Sequence, residues 1–323
     1  MNARPDHETI AAIAAPAIAA TAAKIEAAFL WACELDVMCA KPGNVSVASA
    51  GHGMNAELFL ASAQAAREPL SRAGATVGAR IEAAIANTRA AAGCNTNLGI
   101  VLLCAPLADA FETQALQDSL PAFEASVQQV LRALSVEDAC AAYRAIALAN
   151  PGGLGEADSQ SVGTTPTVDL RAAMALAADR DSIARQYAED FRDVLGFGLA
   201  TFRAACAMRA ASPTALADAV LLTWLGFLAR WPDSHIERKH GNACAQRVSN
   251  EAAAWLAQGD ARVCAPHALD GWDAALKASG INPGTSADLT VATLFAAACL
   301  DPSITTLSTH PSLDSQETQP WPR

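Results

Sequence analysis

Aromatic residues are scarce in this chain, 5% of 323 residues, and only two of them are tyrosine. Runs of β-branched residues and the Gly/Pro-punctuated alternation that marks strands are missing too, which argues against a β-sandwich or barrel. Basic residues are few: 22 Lys and Arg stand against 33 Asp and Glu, for a formal net charge of -11. Such a chain has no basic field for nonspecific binding of nucleic acid or an anionic membrane, although a local basic pocket for phosphate is still allowed. No CxxC pair occurs among the nine cysteines, and Cys33, Cys104, Cys140, Cys206 and Cys299 lie in apolar helical text. Buried thiols in a reducing compartment are therefore expected, rather than disulfides or a metal cluster.

No run is long and apolar enough to read as transmembrane. Ile10 to Ala23 is too short and contains Pro16, and Asp6 and Glu8 precede it, so it lacks the positive bias of a signal peptide. It reads as the first core helix of a cytoplasmic protein. What the chain does have is alanine with Leu, Glu, Arg and Gln, a helix-forming mixture. The expected fold is all-α: one compact multi-helix domain over residues 1–300, its polar helix-end loops meeting in one pocket, followed by a disordered Ser/Thr/Pro/Gln-rich tail at 301–323. Helices are expected over Thr21 to Met38, Ala56 to Ala66, Gly78 to Ala91 and Leu98 to Phe111, the last apolar on nearly every face and kinked at Pro106. More follow from Pro121, Ser135, Asp169, Asp181, Gly198, Asn242 and His267. Ser212-Pro213 reads as an N-cap and first-turn pair for a helix to Arg230. Glu156 to Val168 reads as a mobile loop or lid.

The helix bodies are bland, and the chemistry gathers at their ends. The compact, uncharged stretch Cys94-Asn95-Thr96-Asn97-Leu98-Gly99 opens the apolar helix. Its side chains either cap that helix or hold a substrate against its N-terminus, and the two roles can coexist. Lys41-Pro42-Gly43-Asn44 stops an earlier helix, and His52 follows between two glycines. Asn150-Pro151-Gly152-Gly153 is Gly-rich but lacks the Lys-Ser/Thr of a phosphate loop. The densest group is Asp233, His235, Arg238, Lys239 and His240, where an arginine fork and a lysine point charge suit a polyphosphate; the other reading is a solvated helix start. Asn282-Pro283-Gly284 repeats the Pro-Gly-with-Asn pattern before Asp288. No Walker A loop, GxGxxG finger or HExxH helix is present.

Taken in order, Lys41-Pro42-Gly43-Asn44-Val45 with Gly51-His52, Asn95-Thr96-Asn97-Leu98-Gly99, Asn150-Pro151-Gly152-Gly153, Asp233-Ser234-His235-Ile236-Glu237-Arg238-Lys239 and Asn282-Pro283-Gly284-Thr285-Ser286-Ala287-Asp288-Leu289 resemble the triphosphoribosyl-dephospho-CoA synthase family, over roughly residues 25 to 300. The resemblance implies an all-α transferase that joins the ribose 5-triphosphate part of ATP to the 2′-hydroxyl of dephospho-CoA and releases adenine, usually with Mg²⁺. It implies catalytic or metal-binding work for Asp233, Asp288 or Glu34, each of which reads equally well as a helix cap or surface charge. It makes His52 a catalytic candidate and Asp233 and Asp288 the metal candidates. Lys41, Arg238 and Lys239 would hold phosphate. Asn95, Asn97 and Asn150 would bond ribose or base edges, and backbone N–H groups at Gly152 and Gly153 would approach phosphate. Asn44, Thr96, His235 and Asn282 complete the substrate-binding set, and a homodimer is one expected assembly.

Two departures stand out. Typical members read more like Asn-Thr-His-Lys-Gly where this chain has Asn97 and Leu98, and they carry an acid soon after the loop histidine where it has Asn55. The wording resembles a branch associated with one-carbon cofactor (methanopterin or methanofuran) biosynthesis. That leaves two further readings open: an enzyme of such a pathway with a non-CoA substrate, and a non-catalytic nucleotide-binding helical protein.

Overall fold

A computed structural model describes residues 7–113, 119–152 and 160–306 of the chain. Among them are helices and loops with no strand; one isolated bridge, Gly51 to Met54, closes a turn. The first half runs α1 (His7–Met38), α2 (Ala56–Ser71), α3 (Val77–Ala92), α4 (Leu98–Thr113), α5 (Leu120–Ala133), α6 (Val136–Ala149), α7 (Leu170–Ala175) and α8 (Ser182–Ala188). A π-helical turn at Asp193–Gly198 leads into α9 (Leu199–Arg209). Then follow α10 (Ala215–Arg230), α11 (Ser234–His240), α12 (Asn242–Leu256), α13 (Asp260–Val263), α14 (Asp270–Ala278) and α15 (Gly284–Leu300). No described helix is long and apolar enough to cross a membrane.

Two helices organise the rest. In α15 every residue from Leu289 to Cys299 is buried, and in α4 the run Ile100 to Ala108 is buried throughout. A helix apolar on all faces has to be surrounded, and these two pack on each other while α1, α10 and the π-helical turn cover α15, and α2, α3 and α5 cover α4. Small side chains allow the close approach: at Gly198 an added Cβ would collide with Thr293 Oγ1 of α15. The expected caps form where the sequence places them. Ser135 and Asp138 make a reciprocal capping box on α6, and Ser119 caps α5 just ahead of Pro121.

Several expectations need correcting. The first helix is one continuous α1, but residues 15–20 are exposed and burial begins at Ile25, so Ile10 to Ala23 is not a core helix over its described side chains. The arm is mostly alanine, which carries little apolar area to pull it onto the body, and its Ile18 stays exposed. Ser212 does not cap α10; its hydroxyl accepts from Thr214 N in the turn before the helix. Cys140 and Cys206 are only partly buried, though all nine cysteines are free thiols. The tail expected from 301 starts with an ordered 3₁₀ turn, Pro302–Thr306, held by Asp301 and packed through Ile304 on the core; 307–323 lie outside the described residues. Of the expected lid, 153–159 lie outside the described residues, while 160–168 are tied down: Gln160 bonds Thr167 through both amide atoms, and Tyr143 Oη donates to Gln160 O at 2.6 Å.

Candidate active site

The helix ends meet around a cavity of about 430 Å³. Its polar wall is formed by Asp36, Asn44, Asn95, His235, Arg238 and Asp288, and its apolar side by Met54, Phe59, Leu98, Ile146, Met174 and Ile183. The ends of α1, α4, α8, α11 and α15 thus contribute to one space, and seven expected site residues line it: Asn44, Asn95, Thr96, His235, Arg238, Asn282 and Asp288.

The loop after α1 is gripped from several sides. Lys41 turns inward, 2% exposed, and ion-pairs with Asp36 Oδ1 at 3.0 Å; its ammonium also donates to Asp36 O and, at 3.2 Å, to Cys39 O. It therefore caps the carbonyl end of α1 and neutralises a buried acid, and its fully buried ammonium is not part of the cavity wall. The Gly43 peptide is held at both ends: its N–H donates to Asp273 Oδ1 at 2.8 Å, and its carbonyl lies 2.8 Å from His52 Nε2. His52, itself in a left-handed conformation, thereby steadies the loop and is not part of the cavity wall. Asn44 Nδ2 donates to Asn282 Oδ1, which joins the first and last Pro-Gly loops.

At the mouth of α4, Asn95 Oδ1 accepts from Leu98 N at 3.2 Å, and Thr96 Oγ1 donates to Ser62 Oγ. Asn97 is buried with neither amide atom partnered, and it is Leu98, not Asn97, that faces the cavity. Gly99 admits the carboxylate of Asp288. Burial pushes the Asp288 carboxyl well above the ordinary range, and the negative charges of Asp36 and Asp233 add to the effect against the opposing pull of Arg238.

Asp233 proves to be a clamp. Its Oδ1 accepts from His235 N and Ile236 N at 3.0 and 3.1 Å, and its Oδ2 from Ser286 N and Oγ at 2.7 and 2.8 Å. Four donors use up the lone pairs, so the carboxylate ties α11 to α15 and has none left for a metal or a substrate proton. Glu34 is exposed and outside the cavity wall. Two residues along a helix is about 200° of rotation, so the acid that faces inward is Asp36.

His235 sits against Gly284, with its Nε2 buried and unpartnered. Burial lowers its pKa to about 3, with Lys239 and Arg238 contributing, so the ring is neutral at ordinary pH. Arg238 pairs with Asp181 at 2.6 Å while its Nε stays unpartnered, and exposed Arg180 lines the same side. Lys239 is exposed; an added Cβ on Gly152 would lie 3.4 Å from its Cε, so the Asn150 loop meets the cationic end of α11. Asn150 itself is an exposed left-handed C-cap of α6, and Pro151 rather than Asn150 or Gly152 touches the cavity. Gly153 lies outside the described residues. Among the described residues no group of three His, Cys, Asp or Glu is placed to hold a metal.

A sequence model of the family described as ATP:dephospho-CoA triphosphoribosyl transferase matches residues 22–305. A crystal structure from Archaeoglobus fulgidus, provisionally assigned as a triphosphoribosyl-dephospho-CoA synthase, superposes with a TM-score of 0.59 at 20% identity, covering 75% of this chain and 99% of that one. At that identity the likeness speaks for the fold alone. No curated protein gives a significant sequence match.

Proposed function

Because the chain belongs to the ATP:dephospho-CoA triphosphoribosyl transferase family, we propose that this transferase moves the triphosphoribosyl group of ATP onto the 2′-hydroxyl of dephospho-CoA within the cavity between α4, α11 and α15. One observation carries the assignment to this place: Asn44 Oδ1, His235 Nε2 and Arg238 Nε are buried polar atoms without partners, and their three residues line the same cavity as Asp288. Buried polar groups are normally satisfied, so a cluster of orphans marks where a polar ligand completes the set.

The reaction breaks the C1′–N9 bond of ATP and forms a bond from C1′ to the acceptor oxygen. The hydroxyl gives up a proton and the departing adenine takes one. His235 is the acceptor for the first, once the bound triphosphate offsets the charges of Lys239 and Arg238 that help hold its proton affinity down. Asp288, whose proton affinity burial raises, is the donor for the second. Asp36, paired with Lys41, faces the positive charge that develops at C1′. Arg238, Arg180 and Lys239 receive the triphosphate.

Carboxylates are the hard donors that Mg²⁺ prefers, and Glu237 and Asp181 line the cavity beside Arg238; Asp181 Oδ1 already accepts from Ile183 N and Ala184 N and its Oδ2 from Arg238, so only one lone pair of Oδ2 is left there for an ion. They would hold the ion together with phosphate oxygens and water, and the ion would neutralise part of the triphosphate charge. Asp288 is better used as an acid than as a metal ligand.

Leu98 stands in the wall where typical members place a lysine, so this cavity offers one cation fewer to the substrates. That favours testing acceptors beyond dephospho-CoA, including intermediates of one-carbon cofactor synthesis. Purified protein with ATP, Mg²⁺ and each acceptor is assayed for adenine and for an acceptor heavier by a triphosphoribosyl group. Dephospho-CoA is expected to give both. Product from another acceptor alone would reassign the substrate. Nucleotide binding with no adenine release under any condition would leave a binding protein.

A further inference from the structure

We infer that the side-chain pair Asn44–Asn282 is a reader of a 6-aminopurine edge, and so selects the base of a substrate rather than its phosphates. The inference rests on the nucleotide reading above and adds which residues discriminate among nucleotides.

The pair is polarised. Asn44 Nδ2 donates to Asn282 Oδ1, which commits one atom of each amide and leaves Asn44 Oδ1 as an acceptor and Asn282 Nδ2 as a donor. Asn44 is 6% exposed and its Oδ1 has no partner, while both residues line the cavity. An acceptor beside a donor is the complement of a ring edge that carries an amino group next to an unprotonated ring nitrogen. Adenine has such an edge; a carboxamide reads it in the same sense in the major groove of DNA. A 6-oxopurine puts a carbonyl where the amino group should be, so that two acceptors face each other and Asn44 Oδ1 stays unsatisfied.

The pair is also held rigidly, as a reading element must be. An added Cβ on Gly43 would fall 2.8 Å from Pro283 Cδ and 2.9 Å from Ile281 O, so the two loops are pressed together at a residue whose φ of +81° already favours glycine. Asp273 and His52 fix the Gly43 peptide from its two ends, and Asn44 N donates to Lys41 O at 2.9 Å. The amide pair therefore meets its ligand with little left to order.

Both proposed substrates contain adenine, so the test separates the two sources. Calorimetric titrations measure ATP, ITP and dephospho-CoA one at a time against wild type, Asn44→Ala and Asn282→Leu. If the pair reads ATP, wild type binds ATP roughly 10- to 100-fold more tightly than ITP, and either variant shrinks that ratio toward one while ITP affinity holds. If it reads the acceptor, the variants weaken dephospho-CoA by a similar factor and leave ATP unchanged. The inference is overturned if neither variant alters the ATP-to-ITP ratio or the affinity for dephospho-CoA. The two variants come from different loops, and the wild-type ratio needs no variant at all, so a folding defect in one does not decide the matter. Absence of all nucleotide binding would remove the functional reading as well; binding or turnover that ignores the base would remove only this inference.

Discussion

Gly99 lies directly against the carboxylate of Asp288: a Cβ added to Gly99 would overlap Asp288 Oδ2 and fall 2.8 Å from Ile183 Cδ1. The first turn of α4 and the start of the second turn of α15 thus approach as closely as a bare backbone allows, and the acid occupies the space a side chain would take. Gly99→Ala is expected to push Asp288 out of place, costing about 1–3 kcal/mol through overpacking and lowering kcat more than the small loss of Tm would suggest. Steady-state kinetics beside thermal melts checks this; a variant with wild-type kcat would show that the position of Asp288 does not matter.

Asp288 also predicts an unusual pH dependence of stability. Its carboxyl binds protons more tightly in the folded chain than in the unfolded one. Between the ordinary carboxylate range and its raised value the folded state holds the extra proton, so this group makes stability fall as pH rises through that window. Each tenfold gain in proton affinity corresponds to about 1.4 kcal/mol. Asp288→Asn removes this contribution and is expected to melt above wild type at neutral pH and level with it at pH near 3. A variant less stable than wild type at neutral pH would contradict the assigned direction.

His235 carries the opposite sign. Its pKa falls from the ordinary 6.5 to about 3. Between those values the unfolded chain binds the additional proton, so stability drops as pH decreases from 6.5 toward 3. His235→Gln is expected to soften that acid loss in urea titrations across the window. In kinetics, kcat/KM of wild type should show no limb near the ordinary histidine pKa belonging to this ring, and the variant should lose roughly 10²–10⁴-fold in kcat.

Lys41 separates a structural role from the phosphate-binding role expected for it. Its side chain is fully buried against Asp36 and the last carbonyls of α1. Lys41→Met strands a buried acid and should destabilise by about 3–5 kcal/mol, and adding Asp36→Asn should recover part of the loss. A stable single variant whose only defect is a raised KM for ATP would restore the phosphate reading.

The helix bodies, most caps and the meeting of the polar loops were readable because they depend on local signals: Pro-Gly breaks, the Ser135–Asp138 box and the apolar text of α4 and α15. What was not readable depends on partners far along the chain. Asp233 looks like a candidate catalyst until Ser286, 53 positions later, fills its second oxygen. Lys41 looks like a phosphate-binding cation until its side chain folds back on α1. Asp36 left a usable trace, because Ile25, Phe29 and Cys33 define the buried stripe of α1 and the next position on it is 36, not 34. Arg180 and Asp181 gave none, since nothing local distinguishes them from solvated charges beside a helix start.

Where the chemistry happens is tested most directly by adenine release. It is to be measured with ATP, Mg²⁺ and dephospho-CoA for wild type and Asp288→Asn, with ATP affinity determined for both. The predicted result is one adenine per acceptor modified by wild type, and a rate in the variant lower by on the order of 10²–10⁴-fold with ATP affinity little changed. Wild-type turnover by Asp288→Asn would contradict the placement of the active site in this cavity.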